Sequence, residues 1–269
     1  MTMPPRFPRF ATVGDNCVDR YIPLGQCAIG GNALNVAVQL SRAGEYCAYF
    51  GAVGPDEAGE WTRQELAANG VMLEHFQFLD APTAYTDLDV DPAGERIIAF
   101  EEFGACAIYQ PTEQDIAALA QLDHIHIGWF KGAEALRARL AGSTVTFSQD
   151  VAVNPESRGL DVAFESVGAS EDAAHHALDK LLAAGARVAV VTCGSMGSMA
   201  TDGNGVVRTG IKPVDVVETT GAGDTFIAGF LSRWKKGERL QLCLEAGRDA
   251  AAETCTHVGG FPQHLRVFR

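Results

Sequence analysis

Stretches of consecutive apolar residues alternate along most of the chain with stretches in which apolar positions recur every three or four residues. The first pattern is typical of strands buried in a sheet, and the second of helices with one buried face. Glycines end several of the helical stretches, as helix stop signals do. The pattern predicts strands at 10–15, 46–54, 124–130, 143–150, 160–167 and 187–194, and helices at 32–44, 56–70, 111–122, 171–185, 222–236 and 240–256, with one more helix between the third and fourth strands.

Strands that alternate with helices indicate βαβ units, so we expect an α/β fold with a central, mostly parallel sheet and helices on both faces. The almost wholly apolar segment RVAVVTCG at 187–194 fits a parallel strand buried on both sides. Pro111 and Thr112, followed three residues later by Asp115, predict a helix start. No repeat or linker divides the chain, and we therefore expect one domain over 1–269.

Two segments, 17–30 and 83–103, break this alternation, because each predicts strands without a helix between them. The second contains DPAGE at 91–95, a hairpin turn signal, and its residues 86–91 alternate between polar and apolar. We interpret both segments as a small antiparallel β lid over one edge of the main sheet. Such a lid leaves an open edge or a wet face that needs cover, and we expect a homodimer.

Composition and charge narrow the classes of partner. The 269 residues carry a formal net charge of −13, which disfavours binding to nucleic acid or to an anionic membrane surface. No segment reaches the roughly 18 apolar residues of a membrane span. The seven cysteines are scattered without a C-x-x-C pair, which favours reduced thiols and a cytoplasmic protein. Phosphorylated ligands stay possible, because backbone N–H groups bind phosphate without basic side chains.

The segment ETTGAGDTF at 218–226 places a glycine-rich turn directly before a predicted helix. Gly221, Ala222 and Gly223 have small or no side chains, so their N–H groups can approach an anion closely at the helix N-terminus. Asp224 follows in the first turn, where the helix dipole is expected to keep it ionised at neutral pH. These are the parts that phosphoryl transfer requires, namely a phosphate site beside a base. A helix start capped for stability alone is the alternative for these four residues.

A second cluster offers groups that bind sugar hydroxyls. GGNALN at 30–35 precedes another predicted helix, and its two asparagines are three residues apart on one helical face. GDNCVD at 14–19 ends the first strand with Asp15, Asn16 and Asp19, and a carboxylate there can accept hydrogen bonds from a polyol. Each segment alone is equally compatible with an ordinary turn. Together they predict a polyol site and a phosphate site in one chain.

These two motifs resemble the N-terminal and C-terminal signatures of the PfkB, or ribokinase-like, carbohydrate kinases. The resemblance covers about residues 10–261 and includes VGPDEAG and VVTCGSMGS between the two signatures. Within the family, TVGDNCVD, GGNALNVAV and GAGDTFIAGFLSRW most resemble the fructoselysine 6-kinases. The resemblance implies a ribokinase-like fold and an ATP-dependent sugar kinase that phosphorylates a primary hydroxyl of a fructosamine or ketose. A kinase of another sugar or of a nucleoside, and a sugar-binding sensor with weakened catalysis, are the alternatives.

By position, the resemblance also implies roles for individual residues. Asp224 would be the catalytic base, and the N–H groups of Gly221, Ala222 and Gly223 would form the anion hole. Sugar binding would fall to Asp19, Gly31 and Asn35, with Asp15 beside them, and nucleotide binding to Thr192, Gly194, Gly197, Gly221 and Gly223. The last helix near Ala250, with Gly259 and Gly260, would cover the adenine side. The family uses ATP with Mg²⁺, and many members also bind a monovalent cation such as K⁺.

The sequence departs from the family pattern at two places. Glu218 stands where the family usually has Asp, which affects the expected cation site. The Asn-x-x-Glu motif that organises the metal should fall at 169–172, where the chain reads ASED. Candidate metal ligands are therefore Glu171, Asp172 and Glu218.

Other motifs have plainer interpretations. A dinucleotide-dependent oxidoreductase would need G-x-G-x-x-G directly after the first strand, and the chain has none there. His124 and His126 alternate on a predicted strand and resemble metal ligands, but we favour ordinary sheet positions because no third ligand is recognisable. Trp129 is open to either a packing or a ligand-platform interpretation. The lid residues expected to select the sugar are Tyr85, Asp87, Phe103 and Tyr109.

Overall fold

The computed structural model of the chain describes residues 7–90, 96–155 and 157–268. The turn predicted at 91–95 lies outside the described residues. Their strands are β1 (Arg9–Val13), β2 (Cys17–Tyr21), β3 (Gln26–Gly30), β4 (Tyr46–Val53), β5 (Phe76–Phe78), β6 (Tyr85–Val90), β7 (Arg96–Glu102), β8 (His124–Ile127), β9 (Thr146–Asp150), β10 (Val162–Ser166), β11 (Val188–Thr192), β12 (Ser198–Thr201), β13 (Val206–Thr209) and β14 (Arg266–Val267).

The helices of the described residues connect and flank these strands. They are α1 (Asn32–Arg42), α2 (Glu57–Ala68), α3 (Gly104–Ile108), α4 (Glu113–Leu119), α5 (Ala133–Arg139), α6 (Glu171–Ala183), α7 (Ala222–Trp234) and α8 (Leu240–Thr254). The predicted start of α4 is confirmed, because Thr112 and Asp115 form a reciprocal capping box. None of the helices in the described part of the chain is long and apolar enough to cross a membrane.

The larger sheet has the strand order β13-β12-β11-β10-β9-β8-β1-β4-β5. From β5 to β11 every neighbouring pair is parallel, as the alternating pattern predicts, whereas β11-β12 and β12-β13 are antiparallel. The strand order reverses at β1, which lies between β4 and β8. The carboxyl ends of β1 and β8 therefore border a topological switch point, where α/β proteins bind ligands.

Two hydrophobic clusters cover the two faces of this sheet. One contains buried residues of α1, α2, α7 and α8, and the other contains buried residues of α3, α4, α5 and α6. Along β11 the buried residues alternate between them, since Val190 belongs to the first cluster and Ala189 and Val191 to the second. The prediction of helices on both faces is thus confirmed.

The smaller sheet has the order β14-β3-β2-β6-β7 and contains both segments predicted as the lid. Its pairs are antiparallel except for β2-β6, which is parallel. Between those two strands Arg20 binds Asp87 through two hydrogen bonds of 2.5 and 2.8 Å and lies over the Tyr85 ring. One face of the sheet packs Tyr21, Ala28 and Leu88 against the C-terminal segment.

The sequence pattern predicts neither the antiparallel edge β12-β13 nor the short elements β5, β14 and α3. β12 is fully buried and only four residues long, so it carries no periodicity that distinguishes a strand. The turn of the β12-β13 hairpin is DGNG at 202–205, and this turn is the local signal available in the sequence.

Candidate active site

The glycine-rich turn at 221–223 leads into α7 at the carboxyl-end edge of the larger sheet. Gly221 is the N-cap residue with a left-handed φ of 72°, and a Cβ there would lie 2.4 Å from Gly260 Cα. Both the backbone conformation and the close approach therefore require glycine. Gly223 differs, since a Cβ built on it meets no atom within 4 Å. The Ala222 N–H donates to the Thr219 carbonyl at 3.2 Å, so of the predicted anion-hole donors this one has an internal partner.

Asp224 is the third residue of α7, and its carboxylate binds across to α1. Asn32 Nδ2 donates to Oδ1 at 2.7 Å, and Asn35 Nδ2 donates to Oδ2 at 2.8 Å. No side-chain capping hydrogen bond forms at the start of α7, all of whose residues are described. The interpretation of Asp224 as a helix cap therefore has no support in the contacts. The two asparagines of GGNALN meet the Asp of TGAGD instead.

The electrostatic surroundings of Asp224 correct one expectation from the sequence. Burial raises the pKa of its carboxyl to about 7, although the hydrogen bonds from Asn35 and Asn32 lower it. The charges of Asp15 and Asp150 raise the pKa further. The helix dipole thus does not keep the group fully ionised at neutral pH. A pKa near the working pH instead suits a group that accepts and releases a proton.

The carboxylate of Asp15 contacts backbone N–H groups of the protein itself. It accepts backbone hydrogen bonds from Asn32 at 2.7 Å, Ala33 at 3.2 Å and Trp129 at 2.8 Å. Burial raises its pKa, while these three bonds lower it. The carboxylate thereby joins the end of β1 to the start of α1 and to the residue that follows β8. These contacts give Asp15 a supporting role at the switch point, and its role in sugar binding stays a prediction.

Asp19 and Gly31, two residues predicted to bind the sugar, lie in β2 and at the N-cap of α1. Asp19 is 6% exposed in β2, and a Cβ on Gly30 would lie 2.2 Å from its Oδ2. Gly31 is the N-cap of α1 with φ 109°, and a Cβ there would lie 2.6 Å from Asn16 Cα. The lid thus brings the Asp19 carboxylate to the backbone that precedes Asn32 and Asn35.

A cavity of about 740 Å³ lies beside the glycine-rich turn. It contains Thr192, Gly194 and Gly197, three of the residues predicted for nucleotide binding, and Ala222 of the turn. Its apolar wall comes from α7, α8 and the segment 211–216, whereas Lys212 and Arg248 contribute positive charge in a chain of net negative charge. The remaining lining residues are Ser166, Ser195, Ser198, Gly210, Ile211, Pro213, Val214, Val216, Thr219, Phe226, Ala251, Ala252 and Cys255.

The chain also matches known proteins over nearly its full length. A sequence profile of the family described as pfkB family carbohydrate kinase matches residues 16–152 and 151–262. The chain belongs to the pfkB family of carbohydrate kinases. It is a phosphotransferase that acts on a sugar hydroxyl, as the two glycine motifs predict.

The chain is similar to two relatives and to one solved structure over most of its length. It is 36% identical to the fructoselysine 6-kinase of Shigella flexneri over 258 residues, which cover 93% of this chain and 98% of that relative. Identity to the fructoselysine 6-kinase of Escherichia coli strain K12 is 35% over the same length and the same shares of both chains. The ribokinase of Arabidopsis thaliana complexed with ribose and ATP superposes with a TM-score of 0.83 at 20% identity, over 94% of each chain. The ribokinase-like fold is thus confirmed.

Two of the three candidate metal ligands of the kinase, Glu171 and Glu218, have other contacts. Glu171 pairs with Arg208 at 2.7 Å on the surface, next to Asp172 in the first turn of α6. Glu218 accepts from Thr220 N at 2.7 Å, from Gly259 N at 2.9 Å and from Tyr21 Oη at 3.3 Å. In the described ranges no group of three or more His, Cys, Asp or Glu residues could hold a metal ion. The structure therefore does not gather the three carboxylates into one site.

The C-terminal segment contacts α1 close to Asp224. A Cβ on Gly260 would lie 2.5 Å from Asn35 Oδ1, and Gln39 Nε2 donates to the Gly260 carbonyl at 2.6 Å. Gly260 thus contacts residues near Asp224, and cover of the adenine side by Ala250, Gly259 and Gly260 stays a prediction. Ala250 faces a separate cavity of about 190 Å³, whereas its neighbours Ala251 and Ala252 line the larger one.

The lid residues expected to select the sugar make three different kinds of contact. Tyr85 and Asp87 hold Arg20 within the lid, and Tyr109 is buried at 1% exposure against Phe130. Phe103 instead pairs with Trp129, with ring centroids 4.2 Å apart. Because Trp129 follows β8 and Phe103 follows β7, this pair joins the lid to the switch point.

The sequence predicts that both asparagines bind sugar hydroxyls, and by resemblance it names only Asn35; it does not predict that both hold Asp224. The spacing of the two asparagines on one helical face was the available signal. The 210–216 segment of the cavity was also missed, because its apolar residues follow no helical or strand period.

Proposed function

We propose that this kinase transfers the γ-phosphate of ATP to the primary hydroxyl of a fructosamine such as fructoselysine, with Asp224 as the base. The observation that carries this proposal is the position of Asp224. Its carboxylate directly follows the glycine turn, whose Ala222 lines a cavity of nucleotide size, and it binds two amides of α1, the helix that follows β3 of the lid. A hydroxyl and a phosphate can therefore meet at this carboxylate.

The nucleotide would occupy the cavity of about 740 Å³. Ser198 Oγ, which lines this cavity, is buried and has no hydrogen-bond partner among the described residues, so a polar ligand atom would satisfy it. Phe226, Ala251 and Ala252 offer an apolar face for a base, and Ala222 marks the end that leads to the turn. The phosphates would then extend along the start of α7, where the helix dipole favours negative charge.

Mg²⁺ fits this site as an ion held mainly by phosphate oxygens and water. The described residues provide no carboxylate cage, and Mg²⁺ in kinases commonly binds through substrate phosphates with few protein ligands. When bound, the ion neutralises charge that develops on the transferring phosphate. We give Glu218 a different role, because its carboxylate joins Thr220 and Gly259 and so shapes the turn.

Groups of the protein accept the proton, bind the sugar and bind the phosphate. Asn32 and Asn35 orient the Asp224 carboxylate, which accepts the proton of the attacking hydroxyl at the side left open by these amides. Asp19 and the amide of Asn35 are the groups we assign to sugar hydroxyls. The open space at Gly223 allows a phosphate to approach the backbone N–H groups of the turn, and we assign Gly221 to the same anion hole. Positioning and charge stabilisation supply most of the rate in such transfers.

The choice of a fructosamine rests on the full-length similarity to two fructoselysine 6-kinases. The Phe103 and Trp129 rings offer an apolar surface between lid and sheet for the amino-acid part of such a substrate. An ATP-dependent assay with fructoselysine, fructose, ribose and adenosine tests this choice. We expect the highest kcat/KM for fructoselysine. Turnover of adenosine or ribose without turnover of fructoselysine would contradict the substrate, and no turnover of any compound would contradict the kinase.

We also propose that the lid is covered by a second copy of the chain. A row of apolar side chains runs along the edge strand β7, where Ile97, Ile98 and Phe100 are 44%, 60% and 49% exposed, and so much apolar exposure is unusual for an open sheet edge. Light scattering should give a dimer at micromolar concentration. Ile98→Lys places a charge in this row and should give a monomer, whereas a wild-type monomer would contradict the proposal.

A further inference from the structure

A chain of buried hydrogen bonds runs from Asp224 into the centre of the larger sheet. Asn32 Nδ2 donates to Asp224, and Asn32 Oδ1 is 3.1 Å from His126 Nε2. His126 Nδ1 is 2.9 Å from Ser148 Oγ. The same hydroxyl is 2.8 Å from His124 Nε2. Both imidazoles are 0% exposed, so the sheet positions expected for them are confirmed, but they are connected to the active site.

The chain continues to the far end of α7. His124 Nδ1 is 2.8 Å from Thr146 Oγ1, which accepts a hydrogen bond from Lys235 Nζ at 2.8 Å. Lys235 is the C-cap of the helix in whose first turn Asp224 lies. The hydrogen bonds thus begin at an ammonium group and end at a carboxylate.

The positions of the hydrogens between Asp224 and His124 follow from the carboxylate end of the chain, whereas the Thr146 hydroxyl also has the Asp123 carbonyl within reach at 3.0 Å. A carboxylate only accepts, so Asn32 presents its NH₂ to Asp224 and its carbonyl to His126. A carbonyl only accepts, so His126 carries its proton on Nε2, and Ser148 must donate to Nδ1. By the same reasoning His124 donates from Nε2 to Ser148. Burial lowers the pKa of His126 to about 3 and that of His124 well below its ordinary value, so both rings stay neutral.

Two asparagines hold Asp224, but only one of them is fixed in this way. Asn35 Oδ1 is buried and has no hydrogen-bond partner among the described residues, so its amide can turn over without losing a bond on that side. The Asn32 amide cannot, because the inverted orientation would place its carbonyl against the carboxylate and its NH₂ against the N–H of His126.

We propose that His126 is a positioning residue for Asp224, whose Nε2–H holds the Asn32 amide in the orientation that donates to the carboxylate. This inference rests on the proposed function of Asp224 as the base. An apolar residue would fill this place in the sheet without the unfavourable burial of an imidazole. The histidine therefore contributes orientation rather than packing. Without His126 the Asn32 amide is free to turn over when Asp224 is protonated, so that its carbonyl accepts the proton of the carboxyl group.

The predicted consequence is a change in the titration of Asp224. His126 restricts Asn32 to the orientation that favours the charged carboxylate, and a variant without it also allows a hydrogen bond to the protonated carboxyl, so the pKa of Asp224 rises above its value of about 7. The charged groups facing this carboxyl from other elements are Asp15 at the end of β1 and Asp150 in β9, and both act in the same upward direction. His126 itself does not titrate in the neutral range. The acid limb of kcat/KM should therefore move to higher pH.

His126→Met and His126→Phe both remove the donor, with different shapes in case one of them fails to fold. His126→Gln retains an N–H near the position of Nε2 and serves as the conservative variant. His124→Met is the matched control, since His124 is equally buried on the same strand but contacts neither Asn32 nor Asp224. The acid limb is measured with fructoselysine and ATP. The Asp224 carboxyl is also titrated directly by ¹³C NMR of aspartate-labelled protein, with Asp224→Asn for assignment.

We expect the midpoint to rise by about one pH unit in His126→Met and His126→Phe, and to stay near wild type in His126→Gln and His124→Met. At pH 9 the rate of the first two variants should approach that of the wild type, which structural damage alone would not allow. Unchanged midpoints in both variants would overturn the inference. If Asp224→Asn retains full activity, the proposed function fails instead, and the NMR midpoints still test the role of His126.

A measurement on the wild type keeps the inference testable if neither variant folds. ¹⁵N NMR of histidine-labelled protein should show His126 neutral, with its proton on Nε2, between pH 5 and 9. A proton on Nδ1, or a charged ring in this range, would contradict the orientation of the Asn32 amide proposed here.

Discussion

Two glycine-rich turns open the two helices that meet at Asp224, yet their glycines serve different ends. At 30–31, before α1, added Cβ atoms would lie 2.2 Å from Asp19 Oδ2 and 2.6 Å from Asn16 Cα. At 221–223, before α7, Gly221 is equally enclosed, but Gly223 has no atom within 4 Å of an added Cβ. The first turn is filled by the protein itself, and the second leaves space beside a helix N-terminus.

The closed turn positions α1, and we propose that the open turn takes part in the reaction. The closed turn fixes where Asn32 and Asn35 start, because Asp15 accepts hydrogen bonds from the backbone of Asn32 and Ala33. The open turn is followed by Asp224, whose carboxylate binds side chains of α1, whereas the carboxylate of Asp15 binds backbone N–H groups. The closed turn should therefore respond to substitution in stability, and the open turn in activity.

The largest effect is expected from Asp224→Asn at the open turn. The variant keeps the shape of the side chain but cannot accept the proton, and kcat should fall by about 100- to 10,000-fold. Affinity for ATP should change little, because the backbone N–H groups of the turn are untouched. The NH₂ of the new residue faces an amide donor, which the Asn35 amide can accommodate by turning over. Steady-state kinetics and ATP binding measure both parts.

The control for this prediction is Glu113→Gln, which removes an acid from the first turn of α4, far in sequence from the site. Its activity should equal that of the wild type. Wild-type turnover in Asp224→Asn would refute the assignment of the base and would erase the distinction between the two turns.

At the closed turn, Gly31→Ala should act on stability. The added methyl meets the Asn16 backbone, which cannot move aside as a flexible side chain would, and the φ of 109° disfavours any residue with a Cβ. We expect a loss of roughly 2 to 5 kcal/mol in the free energy of unfolding, seen as a lower Tm or as insoluble protein.

Gly44→Ala separates the two causes. Gly44 also has a positive φ, of 83°, but an added Cβ there meets nothing within 4 Å. Its loss should be limited to about 1 kcal/mol. Equal losses in both variants would show that contact with Asn16 does not close the first turn.

Asp15→Asn tests whether the closed turn includes this acid. The substitution replaces one carboxylate oxygen by an NH₂ that faces backbone donors, and it should lower stability by roughly 1 to 3 kcal/mol. KM for the sugar should stay within about threefold of wild type, since an unfolding loss of this size leaves most molecules folded. A large rise in KM with an unchanged Tm would return Asp15 to the sugar site.

Much of this architecture follows from local sequence patterns. The alternation of apolar and amphipathic runs predicts the parallel part of the larger sheet, and the two glycine motifs predict where ligands bind. The antiparallel edge β12-β13 was not predicted, because four-residue strands carry too little periodicity. The parallel pairing of β2 with β6 was also not predicted, since such pairing joins residues 67 positions apart, such as Arg20 and Asp87.

The site follows the same division. That Asp224 follows an open turn can be read from TGAGD, but that its pKa is raised to about 7 depends on burial between α1 and α7. Asp15 resembled a sugar ligand because it ends a strand, and only the fold shows that three N–H groups already occupy it. The link from His126 to Asn32 joins residues 94 positions apart and leaves no local signal.

The smallest effect, and the sharpest test of the comparison, is expected from Gly223→Ala. Because nothing lies within 4 Å of the added Cβ and the residue is the second of α7, stability should be unchanged or rise by up to about 1 kcal/mol through the higher helix propensity of alanine. The methyl nevertheless enters the space through which a phosphate would approach the backbone. We therefore expect kcat/KM for ATP to fall about tenfold, which corresponds to about 1.4 kcal/mol in the transition state. A stable variant with impaired activity is the opposite of the result expected for Gly31→Ala. If Gly223→Ala retains wild-type kcat/KM, the open space is not where the phosphate binds, and the anion hole must be sought among the other N–H groups of the turn.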